Sequence, residues 1–549
     1  MKKYFFTITI AAFFFSCKKN NTTPAVSETF NLSSLKINAS TSTLQYNVNY
    51  NPVIKIAFSA PVNKNAVAAN IALKDNSATA VTVNYSYENN DSVVVLQPAT
   101  ALRPITRYTI SITGNLLSAR NTKLQTASSA AIITQIDSTD KFPLLTDTQL
   151  LDTVQRRTFR YFWEFGHPVS GMARERNTSG DLVTTGGTGF GIMSMIAAVN
   201  RNFITRTEGR DRILKITDFL LNNCSNYHGA FSHWLNGATG ATIPFSANDN
   251  GADLVETSYL LNGLITGRQY FNTSDVIETD LRNKINTIWN RVEWNWFRQN
   301  NQYVLYWHWS PDKAWIINAP VRGWNEALIT YVLAASSQAD SIPKIAYDNG
   351  WANNGGIKNN NVYYGYQLPL GTANGGPLFF EHYSFLGINP NGLNDAFANY
   401  QTQAVNHTKI NYEYCKANPR GYNGYSNLCW GLTASDVPGG YNANEPNNDV
   451  GVITPSAALS SLPYTPTEST NALRFFYYKL GDKIWGQYGF TDAFKLSDPW
   501  FADSYLAIDQ GPIIVMIENY RSGLLWNLFT SAPEIKNGLK RLGFTAPYL

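Results

Sequence analysis

Charge is scarce in this chain. Asp, Glu, Lys and Arg make up 15% of its 549 residues, against about 25% in ordinary soluble domains. The 43 basic and 39 acidic residues leave a net charge of only +4. No run of Lys or Arg exceeds two, so the basic stripe that a nucleic-acid partner requires is missing. Cysteine is scarce as well. Cys17, Cys224, Cys415 and Cys429 show no CxxC or CxxH spacing, which argues against a zinc or iron–sulfur framework. Spacing leaves one disulfide open, Cys415–Cys429, in an oxidising compartment. Beyond the N-terminus no segment reaches the ~18 apolar residues of a membrane span. There is no GxSxG elbow, HExxH, Walker loop or GxGxxG after a strand. Gly186-Gly187-Thr188-Gly189-Phe190-Gly191 resembles a nucleotide loop but lacks the surrounding strand–helix unit, and reads as a flexible lead into a helix over 188–200.

Aromatic residues, by contrast, are plentiful, with 14 Trp, 31 Tyr and 29 Phe. Few charges with many Trp, Tyr, Asn and Gly suit a protein that meets neutral, ring-shaped, hydroxylated ligands. These residues are unevenly placed. The first 136 residues hold no Trp and no His; all 14 Trp and all 6 His follow. Before that boundary the chain alternates with period two. Ile54, Ile56 and Phe58 form one such run, Val81, Val83, Tyr85 and Tyr87 a second, and Tyr108, Ile110 and Ile112 a third. Val93 to Leu96 is continuously apolar. Short strands with turn signals between them predict a small β-sandwich, and Pro52 to Val62 with Arg107 to Ile110 resembles the bacterial Ig-like modules of secreted enzymes.

At the start, Lys2-Lys3, a short apolar stretch from Tyr4 to Phe15, and Phe15-Ser16-Cys17 resemble a bacterial lipobox. The expectation is a lipoprotein signal peptide over 1–16, a lipidated Cys17 with a polar tether over 17–28, a sandwich over 29–136 and a second domain over 137–549. An ordinary signal peptide that happens to contain a cysteine is the alternative.

From about Thr146 the period becomes helical. Helices are expected near 188–200, 207–222, 249–270, 275–293, 324–336, 392–412, 467–480 and 508–530, joined by long Gly/Asn/aromatic loops. Many helices with functional loops at one rim predict an (α/α) toroid or barrel.

Asp249, Asp253 and Glu256 stand at i, i+4 and i+7, one face of a helix over 249–270. A solvated acidic face, or acids favoured by the helix dipole, is the alternative. No Lys or Arg follows until Arg268, so none of the three has an i+4 partner, and the stripe continues into Leu260 and Leu264. Clustered carboxylates repel and raise at least one pKa, the requirement for a general acid near neutral pH. Glu326, in Arg322-Gly-Trp-Asn-Glu326, is a second candidate acid, with an ion pair to Arg322 as its alternative. Glu381-His382 after a Gly-Gly-Pro loop is a third, weighed against a satisfied loop histidine. His233-Trp234 and Tyr306-Trp307-His308-Trp309 offer aromatic surfaces with polar tips, suited to sugar stacking.

Residues ~145–545 resemble the bacterial glycoamylase-like domain, and most closely glycoside-hydrolase family 144. The matching pieces are Gly171-Met-Ala-Arg-Glu175-Arg176, Thr188 to Gly191, Asp249 to Thr257, Gly323-Trp324-Asn-Glu326-Ala, Gly376 to Tyr383 and Asp509-Gln-Gly-Pro512. The resemblance implies a single (α/α)6 barrel, inverting endo-hydrolysis of linear β-1,2-glucan to short oligosaccharides, and no metal. It carries the family's important acids onto Asp249, Asp253, Glu256 and Glu326. Arg176, His233, Trp234, His308, Trp324, Glu381 and His382 are the expected substrate-binding residues. No cofactor, a neutral glucan substrate, a monomer and a lipid-anchored place in the cell envelope complete the expectation. Exo-action, a non-catalytic glycan-binding lipoprotein and a polysaccharide lyase are the rivals.

Overall fold

The computed structural model describes residue 1 and residues 28–549. Residues 2–27, which hold Cys17 and all but the first and last residues of the expected leader and tether, therefore lie outside the described residues. The chain divides between Thr134 and Gln135 into two compact units.

The first unit holds two four-stranded sheets. One runs β1(Leu32–Ile37), β3(Ile54–Phe58), β6(Val93–Pro98), β5(Val83–Glu88). The other runs β2(Leu44–Val48), β8(Ser128–Thr134), β7(Arg107–Ile112), β4(Ile71–Asp75). All neighbours are antiparallel except β2 and β8. Alternation does what the pattern requires: Ile54, Ile56 and Phe58 are buried while Lys55 and Ala57 are not, and they share a core with Val94, Leu96, Ile110 and Ile132. A short helix α1(Lys64–Asn70), capped by the Asn63 side chain, interrupts a region that reads as strand alone.

The second unit is helical. Its elements are α2(Asp147–Glu164), α3(Thr185–Asn200), α4(Arg206–Asn222), α5(Leu254–Tyr270), α6(Val276–Arg291), α7(Leu328–Ser336), α8(Tyr400–Ala417), α9(Pro455–Leu459), α10(Pro466–Ile484), α11(Ala507–Ser522), α12(Leu524–Ser531) and α13(Pro533–Leu542). Short strands β9(Leu182–Thr184), β10(Asn226–Tyr227), β11(Ala230–Phe231), β12(Trp234–Asn236), β13(Thr242–Ile243), β14(Ala252–Asp253) and β15(His308–Trp309) build the loops. Among the described residues no helix is long and apolar enough to cross a membrane.

Four expected helices differ from those observed. The 392–412 helix begins only at Tyr400, after the Asn399 side chain caps it. The 249–270 helix begins only at Leu254, because Asp253 is extended and caps it. The 324–336 helix begins at Leu328, leaving Glu326 in the preceding turn. The 508–530 helix breaks at Gly523, whose φ of 66° is left-handed, a conformation glycine adopts without steric cost.

The Gly186–Gly191 segment is no flexible lead. It forms the first turns of α3 and is fully buried. A Cβ on Gly189 would stand 2.1 Å from the Tyr259 carbonyl oxygen, and one on Gly263 2.2 Å from the Gly189 oxygen. Glycine is needed there because α3 and α5 meet backbone to backbone. Cys415 and Cys429 are both free and buried, so the disulfide that spacing left open is not formed.

Candidate active site

Two strand pairings carry the expected acids and histidines into one cluster. β9 pairs with β12, Thr184 opposite Trp234, which places His233 beside the start of α3; the Thr185 N–H donates to the His233 carbonyl at 3.1 Å. β14 pairs with β15, Asp253 opposite His308. Asp253 Oδ1 accepts the N–H groups of Val255 and Glu256 at 3.0 and 2.9 Å, an N-cap. Its Oδ2 lies 3.1 Å from His233 Nδ1 and 3.6 Å from His308 Nε2. Asp249, held by a turn from Ser246, approaches His308 Nε2 at 3.5 Å. Glu256 Oε2 accepts the Gly186 N–H at 2.7 Å, and its Oε1 is 4.0 Å from His233 Nε2. The three acids converge, although by turn, cap and first helical turn rather than along one helix face.

Five charges in this space set one another's ionisation. Burial works against charge on His233, yet the carboxylates of Glu256, Asp253 and Asp249 push its pKa up to about 9. His308 is raised too, its burial outweighed by Asp253 and Asp249. Burial opposes ionisation of Asp253 as well, but hydrogen bonds from the two imidazoles hold its carboxyl far below the usual range. Asp249 and Glu256 are raised, first by burial and then by the charge of Asp253. Asp253 thus keeps its negative charge, held between the two imidazoles.

Glu326 stands apart from this ion cluster. Its main-chain carbonyl accepts hydrogen bonds from Tyr259 and Ser384 hydroxyls, fixing the turn before α7. Arg322 turns away and donates to Asn353, so the alternative ion pair is not formed. Burial, reinforced by the charges of Glu256 and Asp253, pushes the Glu326 carboxyl up to about 7, and the residue as a whole is half-buried.

A third acidic group had no signal in the helical periodicity. Asp436, Asp492 and Asp509 come from a short strand over Ala434–Val437, a loop and the start of α11. Asp492 Oδ2 accepts the Asp436 N–H at 2.7 Å. Burial pushes Asp492 up to about 7, and burial with the Asp492 charge raises Asp509. Arg176 bridges Glu175 at 3.0 Å and Asp436 at 3.3 Å. A cleft of about 370 Å³ runs past these residues, lined by Arg176, Thr184, His233, Trp234, Phe245 and Tyr441 among others.

Residues 318–533 match the Glycoamylase family model, and residues 9–133 match the model of a bacterial Ig-like domain. The solved structure of endo-β-1,2-glucanase from Chitinophaga pinensis, a complex with sophorotriose and glucose, is 48% identical with a TM-score of 0.72, over 74% of this chain and 100% of that one. β-1,2-Glucanase from Parabacteroides distasonis is 38% identical with a TM-score of 0.71, over 94% of this chain and 74% of that one. The chain belongs to the glycoamylase-like family, glycoside-hydrolase family 144. An exo-β-1,2-glucooligosaccharide sophorohydrolase (non-reducing end) of P. distasonis is 44% identical over 475 residues, which are 82% of this chain and 66% of that protein. The chain therefore spans just under two thirds of that curated relative.

Within this family-144 chain the structure corrects three expected ligand contacts. Glu381 and His382 are buried and do not line the cleft. Glu381 Oε1 accepts from Trp324 Nε1 and Gln403 Nε2 and meets His407 Nδ1, each at 2.8 Å. His382 meets Ser461 at 3.0 Å, and burial lowers its pKa to about 3. Trp324 is enclosed by Trp351, Phe385 and Tyr400. All three are packed inside the fold, and a Gly-Pro-rich sequence gives no hint that its Glu-His turns inward.

Among the described residues, His233, Asp249 and Asp253 carry ligand-type atoms within 4.8 Å of one another. With its pKa near 9, the His233 ring keeps its second proton at neutral pH and donates towards Asp253 instead of offering a lone pair.

Proposed function

We propose that this family-144 protein is an inverting, endo-acting glycoside hydrolase of β-1,2-glucan built on an (α/α)6 barrel. Supporting the barrel, helices buried almost all round (α3, α5, α7, α9, α11) alternate in the chain with helices that keep an exposed face (α2, α4, α6, α8, α10). The observation that carries the reaction is Glu326: a carboxyl lifted to about 7 on a half-buried residue, in the field of the Asp253 carboxylate, which stays ionised. Inversion needs one carboxylic acid and one carboxylate roughly 6.5–9.5 Å apart. Glu326 gives its proton to the glycosidic oxygen as the bond from the anomeric carbon to that oxygen breaks. A water, losing its proton to the Asp249/Asp253/Glu256 side, attacks the same carbon from the opposite face. Asp253 positions both imidazoles and supplies fixed negative charge, and Asp249 or Glu256 receives the proton. His233, Trp234, His308 and Arg176 border the substrate.

The glucan linkage rests on the named relatives, since every glucan offers the same hydroxyls and ring faces. Release of sophorose from chain ends is the second reading, favoured by the P. distasonis sophorohydrolase at 44% identity. The enzyme is further proposed to act as a lipid-anchored monomer of the cell envelope. The deciding experiment incubates the protein with β-1,2-, β-1,3-, β-1,4- and α-1,4-glucans and follows product length and anomeric form. Short β-1,2-linked oligosaccharides first formed as the α-anomer are expected. Cleavage of another linkage alone, retention of configuration, or an unsaturated product overturns the reading; disaccharide as the sole early product replaces endo- by exo-action.

A further inference from the structure

The ribbon of β14 and β15 has two faces, and the acids occupy only one. His308 points to Asp249 and Asp253, so the next residue, Trp309, points from the opposite face. There it joins an aromatic group unconnected with the acids. Its ring lies 5.1 Å from His228, edge-on, and 6.2 Å from Trp296.

His228 sits at the tip of the β10–β11 hairpin, where it and Gly229 both have left-handed φ, 52° and 77°, as a two-residue turn of this kind demands. The tip is clamped to the end of α6: a Cβ on Gly229 would lie 2.2 Å from the Arg291 oxygen. The Glu293 N–H donates to the His228 carbonyl at 3.0 Å, and the Glu293 carboxylate holds His228 Nδ1 at 2.9 Å. The imidazole is thereby fixed flat on the Trp296 indole, 3.8 Å between centroids and 16° between planes. Trp296 is nevertheless 41% exposed, an unusual cost for a large aromatic surface whose support is so carefully built.

Beside it opens a cleft of about 370 Å³ lined by Glu293, Asn295, Trp296, Asn300, Asn301 and Asp340. Both acids are already committed, Glu293 to His228 and Asp340 to the main-chain and side-chain N–H groups of Asn295, each at 2.8 Å. Asn300 and Asn301 are exposed; Arg298 Nη2 donates to the Asn301 main-chain carbonyl at 2.7 Å, and among the described residues no hydrogen bond to either side-chain amide is found. No Lys or Arg lines the cleft, so it has nothing to hold an anion. A flat, supported indole with free amides at its rim matches a neutral hexose ring, which presents an apolar C–H face and a circumference of hydroxyls.

We infer that Trp296, with Asn300 and Asn301, forms a second glucan-binding platform that holds the polymer on the far side of the ribbon from the cleavage site. The inference rests on the proposed glucan-hydrolase reading for the identity of the polymer, not for the existence of the platform. It holds chains long enough to reach both faces and is indifferent to short oligosaccharides.

The test uses full-length protein carrying Glu326→Gln, so that binding is read without cleavage, in affinity electrophoresis through gels containing β-1,2-, β-1,3- or β-1,4-glucan. Trp296→Ala is expected to weaken retention by the β-1,2-polymer about tenfold. Trp296→Phe should keep most of it, and Tyr303→Ala, an exposed aromatic outside the cleft, should leave it unchanged. Matching melting temperatures exclude misfolding. Retention of Trp296→Ala equal to that of its parent overturns the platform. So does sedimentation showing that Trp296→Ala only separates a dimer into monomers, which would make the patch a contact between copies. If the wild-type protein cleaves no glucan, the hydrolase reading fails by itself, and the three gels still decide the platform.

Discussion

Glu326→Gln separates chemistry from stability in one substitution. A glutamate at its ordinary 4.5 is protonated about 0.3% of the time at pH 7; at a pKa of about 7 it is protonated about half the time. The buried setting therefore enriches the competent acid some 150-fold. Glutamine cannot donate that proton, so kcat/KM on β-1,2-glucan should fall by about 10² to 10⁴. The wild type should lose activity as pH rises through 7, and the residual activity of the variant should lack that alkaline limb. Stability should move the other way. The folded-state pKa lies above the unfolded value, so Glu326 contributes most below pH 4.5 and loses that contribution as pH rises to 7. Above pH 7 the glutamine variant should be more stable by up to about 3 kcal/mol, with the difference vanishing near pH 4. The assays are reducing-end release from pH 4 to 9 and chemical denaturation at pH 4 and 8. Near-wild-type turnover of the variant, or an alkaline limb that survives the substitution, refutes the assignment.

Asp253→Asn keeps an N-cap but removes the charge between the imidazoles; at least about 100-fold loss of kcat/KM is expected, with a loss of stability because the buried imidazoles lose their counter-charge. Asp253→Ala should add a cap loss of about 1 kcal/mol, and equal destabilisation by Asn and Ala would sink this division of roles. Gly189→Ala, whose methyl would meet the Tyr259 carbonyl at 2.1 Å, should cost about 3 kcal/mol in denaturant titration. Gly267→Ala, whose nearest neighbour would lie at 3.7 Å, should be neutral or stabilising by about 0.5–1 kcal/mol. Extended dialysis against a chelator should leave kcat/KM unchanged, and recovery only on adding a divalent cation would show that His233, Asp249 and Asp253 hold one. Cys17→Ser should move the protein from the membrane fraction to the soluble fraction without altering turnover; a variant that still sediments with membranes ends the lipid-anchor proposal.

Where a residue's neighbours are near in sequence, the pattern was readable. Period-two runs such as Ile54, Ile56 and Phe58 became strands, and the loss of Trp and His before residue 136 lies beside the division at Thr134. Periodicity extended the acidic helix back to Asp249, because spacings of i, i+4 and i+7 cannot distinguish a helix face from a turn, a cap and a first turn that converge. Asp253-Leu-Val-Glu256 does carry a local sign, a capping residue followed three positions later by Glu, and that marks the helix start at Leu254. Asp436 and Asp492 lay beyond reach. Asp436 sits in a short strand and Asp492 in a loop, and it is burial in the folded protein, with the Asp436 charge beside it, that raises Asp492. Glu381-His382 misled for the same reason: the Trp324, Gln403 and His407 that absorb Glu381 lie up to 57 positions away.

The free cysteines have a practical consequence for watching this molecule at work. Cys224 is pushed up to about 12 by burial, and Cys415 and Cys429 are raised further, so almost none of the reactive thiolate exists at neutral pH. All three are also out of reach of a bulky reagent. With Cys17 replaced, one cysteine introduced at the exposed Phe245 of the cleft rim would take a fluorophore almost alone. The native protein supplies its own silent background, and arrival of a glucan chain at the cleft can be timed without removing any buried thiol.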